Sequence, residues 1–164
     1  MDYQNNYQPQ YSEPVGTEQP MKWFKFLIYF ALFASCVLYV YNGITALTGS
    51  HYDGMKDLVY RYFPGLKTAD TLYGILCLAL AAFAIYVRFQ LAAFKANSPK
   101  LLNALYICGI LAAVIYVIAV QIGTDGQIPL DDAISNITAD AVVAIVMVGV
   151  NTVYFKKRQH MFVN

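Results

Sequence analysis

Four apolar runs of helix-spanning length leave this chain one kind of fold. A helix crosses a bilayer core with about 20 predominantly apolar residues, and such segments occur at 24–47, 71–94, 101–122 and 139–155. A closed β-barrel is the other structure that satisfies its backbone polar groups in lipid. Barrel strands alternate apolar and polar residues, whereas these runs are continuous and rich in Leu, Ala and Ile. With 59% hydrophobic and only 13% charged residues, the chain lies far from the profile of a soluble domain. The expected fold is all-α, a four-helix transmembrane bundle over residues 23–164. Short connections favour an up-down-up-down order.

The distribution of charge orients that bundle. Arg88, Lys95 and Lys100 surround the second connection and Lys156, Lys157 and Arg158 follow the fourth span, with no acid in either place. The third connection holds Asp125, Asp131 and Asp132 and no base, and the first balances Lys56, Arg61 and Lys67 against Asp53, Asp57 and Asp70. The Lys/Arg bias puts both termini in the cytoplasm, in agreement with Lys22 and Lys25. Residues 1–22 read as a cytoplasmic tail: "MDYQNNYQPQYSEPVGTEQP" is too poor in apolar surface to offset its ordering entropy. Tyr3, Tyr7 and Tyr11 recur within it as part of a solvated, low-complexity segment.

"MKWFKFLIYFALFASC" resembles a lipoprotein signal ending at Cys36. Against that reading, the apolar run continues through "VLYVYNGITAL", Phe33 stands where such signals favour Leu, and a polar tail precedes it. A retained first span is the expectation. Cys36, Cys77 and Cys108 form no C-x-x-C pair, and at about 1.5 Å of rise per residue they fall at three different depths. They read as buried packing residues.

In the first outer connection Met55, Leu58, Val59, Tyr62 and Phe63 follow a helical apolar spacing, with Lys56, Asp57, Tyr60 and Arg61 opposite. This predicts a short amphipathic helix ended by Pro64-Gly65 and resting at the outer interface or in a groove on top of the bundle, with Tyr52, Tyr60 and Tyr62 at headgroup level; a lid over a site is the alternative. Asp70 is expected at the start of the second span, and Asn136, Thr138 and Asp140 at the start of the fourth, where each would serve the free amides and dipole of a helix N-terminus. His51 and the outer acids match no EF-hand or zinc spacing, so no metal is expected.

At membrane depth, Asn42, Thr45, Tyr73, Tyr116, Gln121 and Asp140 project to the outer third and define a candidate polar mouth, while Asn103, Asn151 and Thr152 project to the inner third. The central band holds no Asp, Glu, Lys or Arg, which disfavours a coupled transport cycle. Small residues replace charge there: Gly74, Cys77, Ala81 and Ala84 form a stripe on the second span, and Ala104, Cys108, Ala112 and Ala119 approximate one on the third. Such stripes let helix backbones approach in lipid.

Arg88, within "AIYVRFQLAAF", is the residue that most resembles a buried active centre. From Asp70 to Arg88 is about 27 Å along a helix axis, close to the full hydrocarbon thickness of about 30 Å. At the centre an arginine costs about 3 kcal/mol on insertion scales; at the border its stem snorkels to the headgroups. Arg88 is therefore expected at the inner edge, one of a set of interfacial anchors with Trp23, Lys25, Lys95, Lys100, Lys156, Lys157 and Arg158.

"NTVYFKKRQHMF", together with "YFPGLKTADTLYGI", resembles small four-span integral membrane proteins of Gram-positive bacteria that carry no known activity. Some of those have a cytoplasmic zinc ribbon before the first span, a module that a tail without cysteine does not supply. The resemblance implies a bacterial plasma membrane and no reaction. The expected function is non-enzymatic: a structural, accessory or regulatory membrane protein, with no catalytic residue and no cofactor. Its expected partners are membrane lipids and a second copy or another membrane protein, not nucleic acid. The rival readings are an oligomeric channel or facilitator lined by the outer polar mouth and, more weakly, a lipid-modifying enzyme.

Overall fold

The computed structural model describes residues 21–127, 129 and 131–162, with the backbone alone for 131–136. Residues 1–20 of the expected tail, and the side chains of Asp131, Asp132 and Asn136, lie outside the described residues. Five helices account for most of the rest: α1 (Lys22–Thr48), α2 (Lys56–Tyr62), α3 (Pro64–Ala92), α4 (Ser98–Gly123) and α5 (Asp131–Lys156). There is no strand among the described residues. α1, α3, α4 and the Ile137–Lys156 part of α5 are long and apolar enough to cross a membrane.

Two helices begin about two turns before their apolar runs. Pro64 does not merely end α2; it opens α3, where a fixed φ and a missing N–H cost nothing. Asp70 is therefore not a terminal cap, since it lies well inside the helix. α5 likewise starts at Asp131, so Asn136, Thr138 and Asp140 are interior residues. Hydropathy marks the part of a helix that meets acyl chains, and a helix is free to continue into the headgroup region.

α1 packs on α3, α3 on α4 and α4 on α5. The expected stripe on the second span is real: Gly74, Cys77, Ala81 and Ala84 are all buried. Gly74 faces Gly43 of α1, where an added Cβ would come within 3.2 Å of the Gly74 carbonyl. The second stripe holds only in part. Ala112 is buried, but Cys108 is exposed, and Leu102 and Leu105 supply the packing instead. Of the three thiols, only Cys77 is a buried packing residue. Phe33, Ile75, Ile118 and Ile145, one from each long helix, are exposed, as expected of a surface that acyl chains would cover.

One end of the helices is closed by aromatic rings. Phe24 of α1 stacks on Phe94 after α3 at 5.0 Å and meets Phe155 of α5 and Phe162 beyond it edge-on. The indole N–H of Trp23 donates to Asn151 Oδ1 over 3.2 Å, tying α1 to α5. Phe94 adopts a φ of 52°, an unfavourable region for a bulky residue, and its stacking on Phe24 helps hold that turn.

Nearby, α1 widens into a π-helical segment, Leu27–Ala31, in which the Leu32 N–H reaches back to the Leu27 carbonyl. Arg88 of α3 donates from Nε to the Ile28 carbonyl in this segment over 3.1 Å. Among the described residues no carboxylate pairs with Arg88. Its neighbours in the helix, Val87 and Leu91, are buried, so Arg88 joins two helices and is not an isolated charge.

Candidate functional site

At the opposite end from Phe24, one carboxylate gathers a turn and two helices. Asp70 is 1% exposed. Its Oδ2 accepts from Tyr52 and from Tyr60, each over 2.9 Å, and its Oδ1 accepts from Tyr116 over 2.8 Å. Burying a carboxylate costs several kcal/mol unless hydrogen bonds replace its water, and three phenols supply them. The result ties the turn after α1, the short helix α2, and α4 to one side chain of α3.

Tyr60 has a role that the apolar spacing does not reveal: expected opposite the apolar residues, it is half-buried and bonded to Asp70, while Met55, Leu58 and Tyr62 are exposed. Val59 and Phe63 of the apolar side are half-buried beside it. Burial, followed by the bond to Asp70, pushes the Tyr60 phenol up to about 12, and the Tyr52 phenol is raised for the same two reasons. Both therefore remain neutral donors at physiological pH.

His51 completes the group without joining it. Its Nδ1 lies 3.2 Å from the Thr45 carbonyl; a carbonyl only accepts, so Nδ1 carries the proton. Nε2 stands 3.8 Å from Asp70 Oδ2, too far for a hydrogen bond. The arrangement commits both oxygens of one buried carboxylate to three phenols. Its chemistry is that of a clasp. Among the described residues no three His, Cys, Asp or Glu side chains converge as metal ligands.

The chain matches no protein-family model, no curated protein and no solved structure. Geometry is therefore the basis for assigning it a function.

Only three of the six residues of the expected polar mouth come together. Asn42, Tyr73 and Asp140 line a cleft of about 320 Å³ where α1, α3, α4 and α5 face one another, together with Ser35, Tyr39 and Tyr106. Tyr116 is committed to Asp70, although its ring stacks on Tyr73 at 4.3 Å. Thr45 turns its hydroxyl to the Asn42 carbonyl, and Gln121 lies outside the cleft lining. Gly109 makes room for the Tyr39 hydroxyl, which would be 2.5 Å from an added Cβ.

Of the expected anchors, Lys25, Lys95, Lys100, Lys156 and Lys157 are exposed, whereas Trp23 is held by Asn151. Arg158 is largely buried, its guanidinium 3.9 Å above the Tyr154 ring and donating to the Tyr154 carbonyl. It serves the end of α5 as well as the surface. The clasp itself is not foreseen from the sequence. Its only visible signal is a loop holding Tyr52 and Tyr60 just before an acid that follows Pro64.

Proposed function

We propose that this chain is a non-enzymatic, multi-pass protein of a bacterial plasma membrane, with both termini cytoplasmic and the spans in up-down-up-down order. It acts as a structural, accessory or regulatory component through lipid and protein contacts. The observation that carries this reading is the set of three phenols gathered on Asp70. This buried carboxylate spends both oxygens on three tyrosines and so fixes α2, with Met55, Leu58 and Tyr62 facing outward, over the ends of the spans. The test is reconstitution in liposomes with a broad solute panel. No flux above that of empty liposomes is expected, and transport abolished by Asn42→Leu would overturn the reading.

A channel or facilitator is the second reading, favoured by the cleft that brings Asn42, Tyr73 and Asp140 together. Under it, Asn42→Leu and Asp140→Asn would change solute flux while leaving the helices intact.

A further inference from the structure

At the Phe24 end a second cavity, of about 480 Å³, opens between the first turns of α4 and the last turns of α5. Asn97, Lys100 and Asn103 line it from one side, and Asn151, Thr152 and Lys156 from the other, over a floor of Phe155 and Phe162. Both lysines are exposed, and no acid lines the cavity. The N-terminus of α4, a helix of 26 residues, borders the same space without a side-chain cap, and its positive end favours an anion.

Two buried polar atoms in this wall have no partner: Asn151 Nδ2 and Asn103 Oδ1. Their identities are set by their neighbours. The Trp23 indole can only donate, so the oxygen of Asn151 must face it, which leaves the nitrogen unused; Tyr106 neighbours this amide without meeting hydrogen-bond geometry. Thr152 gives its hydroxyl proton to the Val148 carbonyl and therefore accepts from Asn103 Nδ2, which leaves the Asn103 oxygen unused. Asn151 is 0% exposed, and an unmade hydrogen bond there is costly. One donor and one acceptor thus stand unused in the wall of a cationic cavity.

We propose that this cavity binds a phosphate group that carries a neighbouring hydroxyl or amine, the chemistry of a glycerophospholipid headgroup or of a soluble glycerol phosphate. The phosphate oxygens take Asn151 Nδ2 and the two ammonium groups, the ligand's own hydroxyl or amine donates to Asn103 Oδ1, and Phe155 and Phe162 meet its carbon skeleton. With two lysines and no acid, the site favours an anionic headgroup such as phosphatidylglycerol over a zwitterionic one.

Trp23 is the one tryptophan of the chain and touches Asn151, so its emission reports occupancy. The full chain in phosphatidylcholine nanodiscs is titrated with phosphatidylglycerol and, separately, with soluble glycerol 3-phosphate. A saturable change in emission is expected, with an apparent affinity roughly thirtyfold weaker in the exposed double variant Lys100→Gln/Lys156→Gln, since each lysine near an anionic headgroup is worth about 1 kcal/mol. Asn151→Asp keeps the acceptor for Trp23 but turns the free donor into a second acceptor, and is expected to abolish the response. Saturation by the lipid identifies a headgroup site, and saturation by glycerol phosphate identifies a soluble ligand. No saturable response to either, or a response that the lysine variant leaves unchanged, overturns the proposal. The inference rests on the membrane-embedded reading, which is tested apart from binding by recovery of folded, helical protein in the nanodiscs.

Discussion

Tyr60 Oη donates to Asp70 Oδ2 over 2.9 Å, although only ten positions separate the two residues and a helix break lies between them. The bond ties α2 to α3 through a residue of its polar side and makes a buried acid the organiser of this end of the molecule. Tyr116→Phe, which removes the donor to the other oxygen, is expected to destabilise the protein by about 1.5–3 kcal/mol, the usual worth of a hydrogen bond to a charge. Tyr60→Phe should cost less because water can partly replace a phenol nearer the surface. Thermal unfolding in detergent checks the order.

The same bond predicts an alkaline transition. The folded protein holds the Tyr60 proton more tightly than the unfolded chain does, since its phenol rises from 10.0 to about 12. Stability from this group is complete below about pH 10 and is lost as pH climbs to about 12. Tyrosinate absorbance followed alongside proteolysis of residues 50–63 should show cleavage rising in that window and not below it; Tyr60→Phe should remove this component.

Gly65 and Gly123 make a second joint close to the clasp. A Cβ on Gly65 would stand 2.5 Å from Gly123 Cα, and one on Gly123 would stand 2.8 Å from the Gly65 carbonyl carbon. Because the obstacles are backbone atoms, no rotamer change relieves them. Gly65→Ala or Gly123→Ala is expected to force α3 and α4 apart at a cost of about 1–3 kcal/mol, read as a lowered unfolding midpoint. Gly149→Ala, where nothing lies within 4 Å of the added Cβ, serves as the tolerant control.

Arg88→Lys should leave membrane insertion intact, because a lysine stem also snorkels. Arg88→Leu removes both the charge and the donor to Ile28 in the π segment, and should weaken orientation and lower stability by about 1 kcal/mol. Accessibility labelling of the connection at Lys95 measures the first effect and thermal unfolding the second.

The features legible in the sequence are those whose forces leave a periodic trace. The spans are visible because lipid demands apolar residues over a fixed length, and the buried Gly74, Cys77, Ala81 and Ala84 are visible because helix packing repeats. The starts of α3 and α5 are not, since their first turns hold Pro64-Gly65 and Asp131-Asp132 and carry no hydropathy signal. The clasp is hidden for a different reason. Asp70 draws donors from 18, 10 and 46 residues away, and Trp23 finds Asn151 across 128; single long-range hydrogen bonds have no spacing to read. Tyr60 escapes the pattern because amphipathic spacing records where apolar surface goes and not where a buried carboxylate needs a phenol.

The clasp is the central claim, and hydrogen–deuterium exchange of the full chain in nanodiscs tests it most directly. In the wild type the amides of residues 59–63 should be protected, and in Asp70→Ala they should exchange at least about tenfold faster, the equivalent of about 1.4 kcal/mol. The middle of α3, residues 74–87, should stay unchanged. Equal exchange of α2 in the two proteins would contradict the account, and would mean that Asp70 is buried for some purpose other than holding this end of the molecule together.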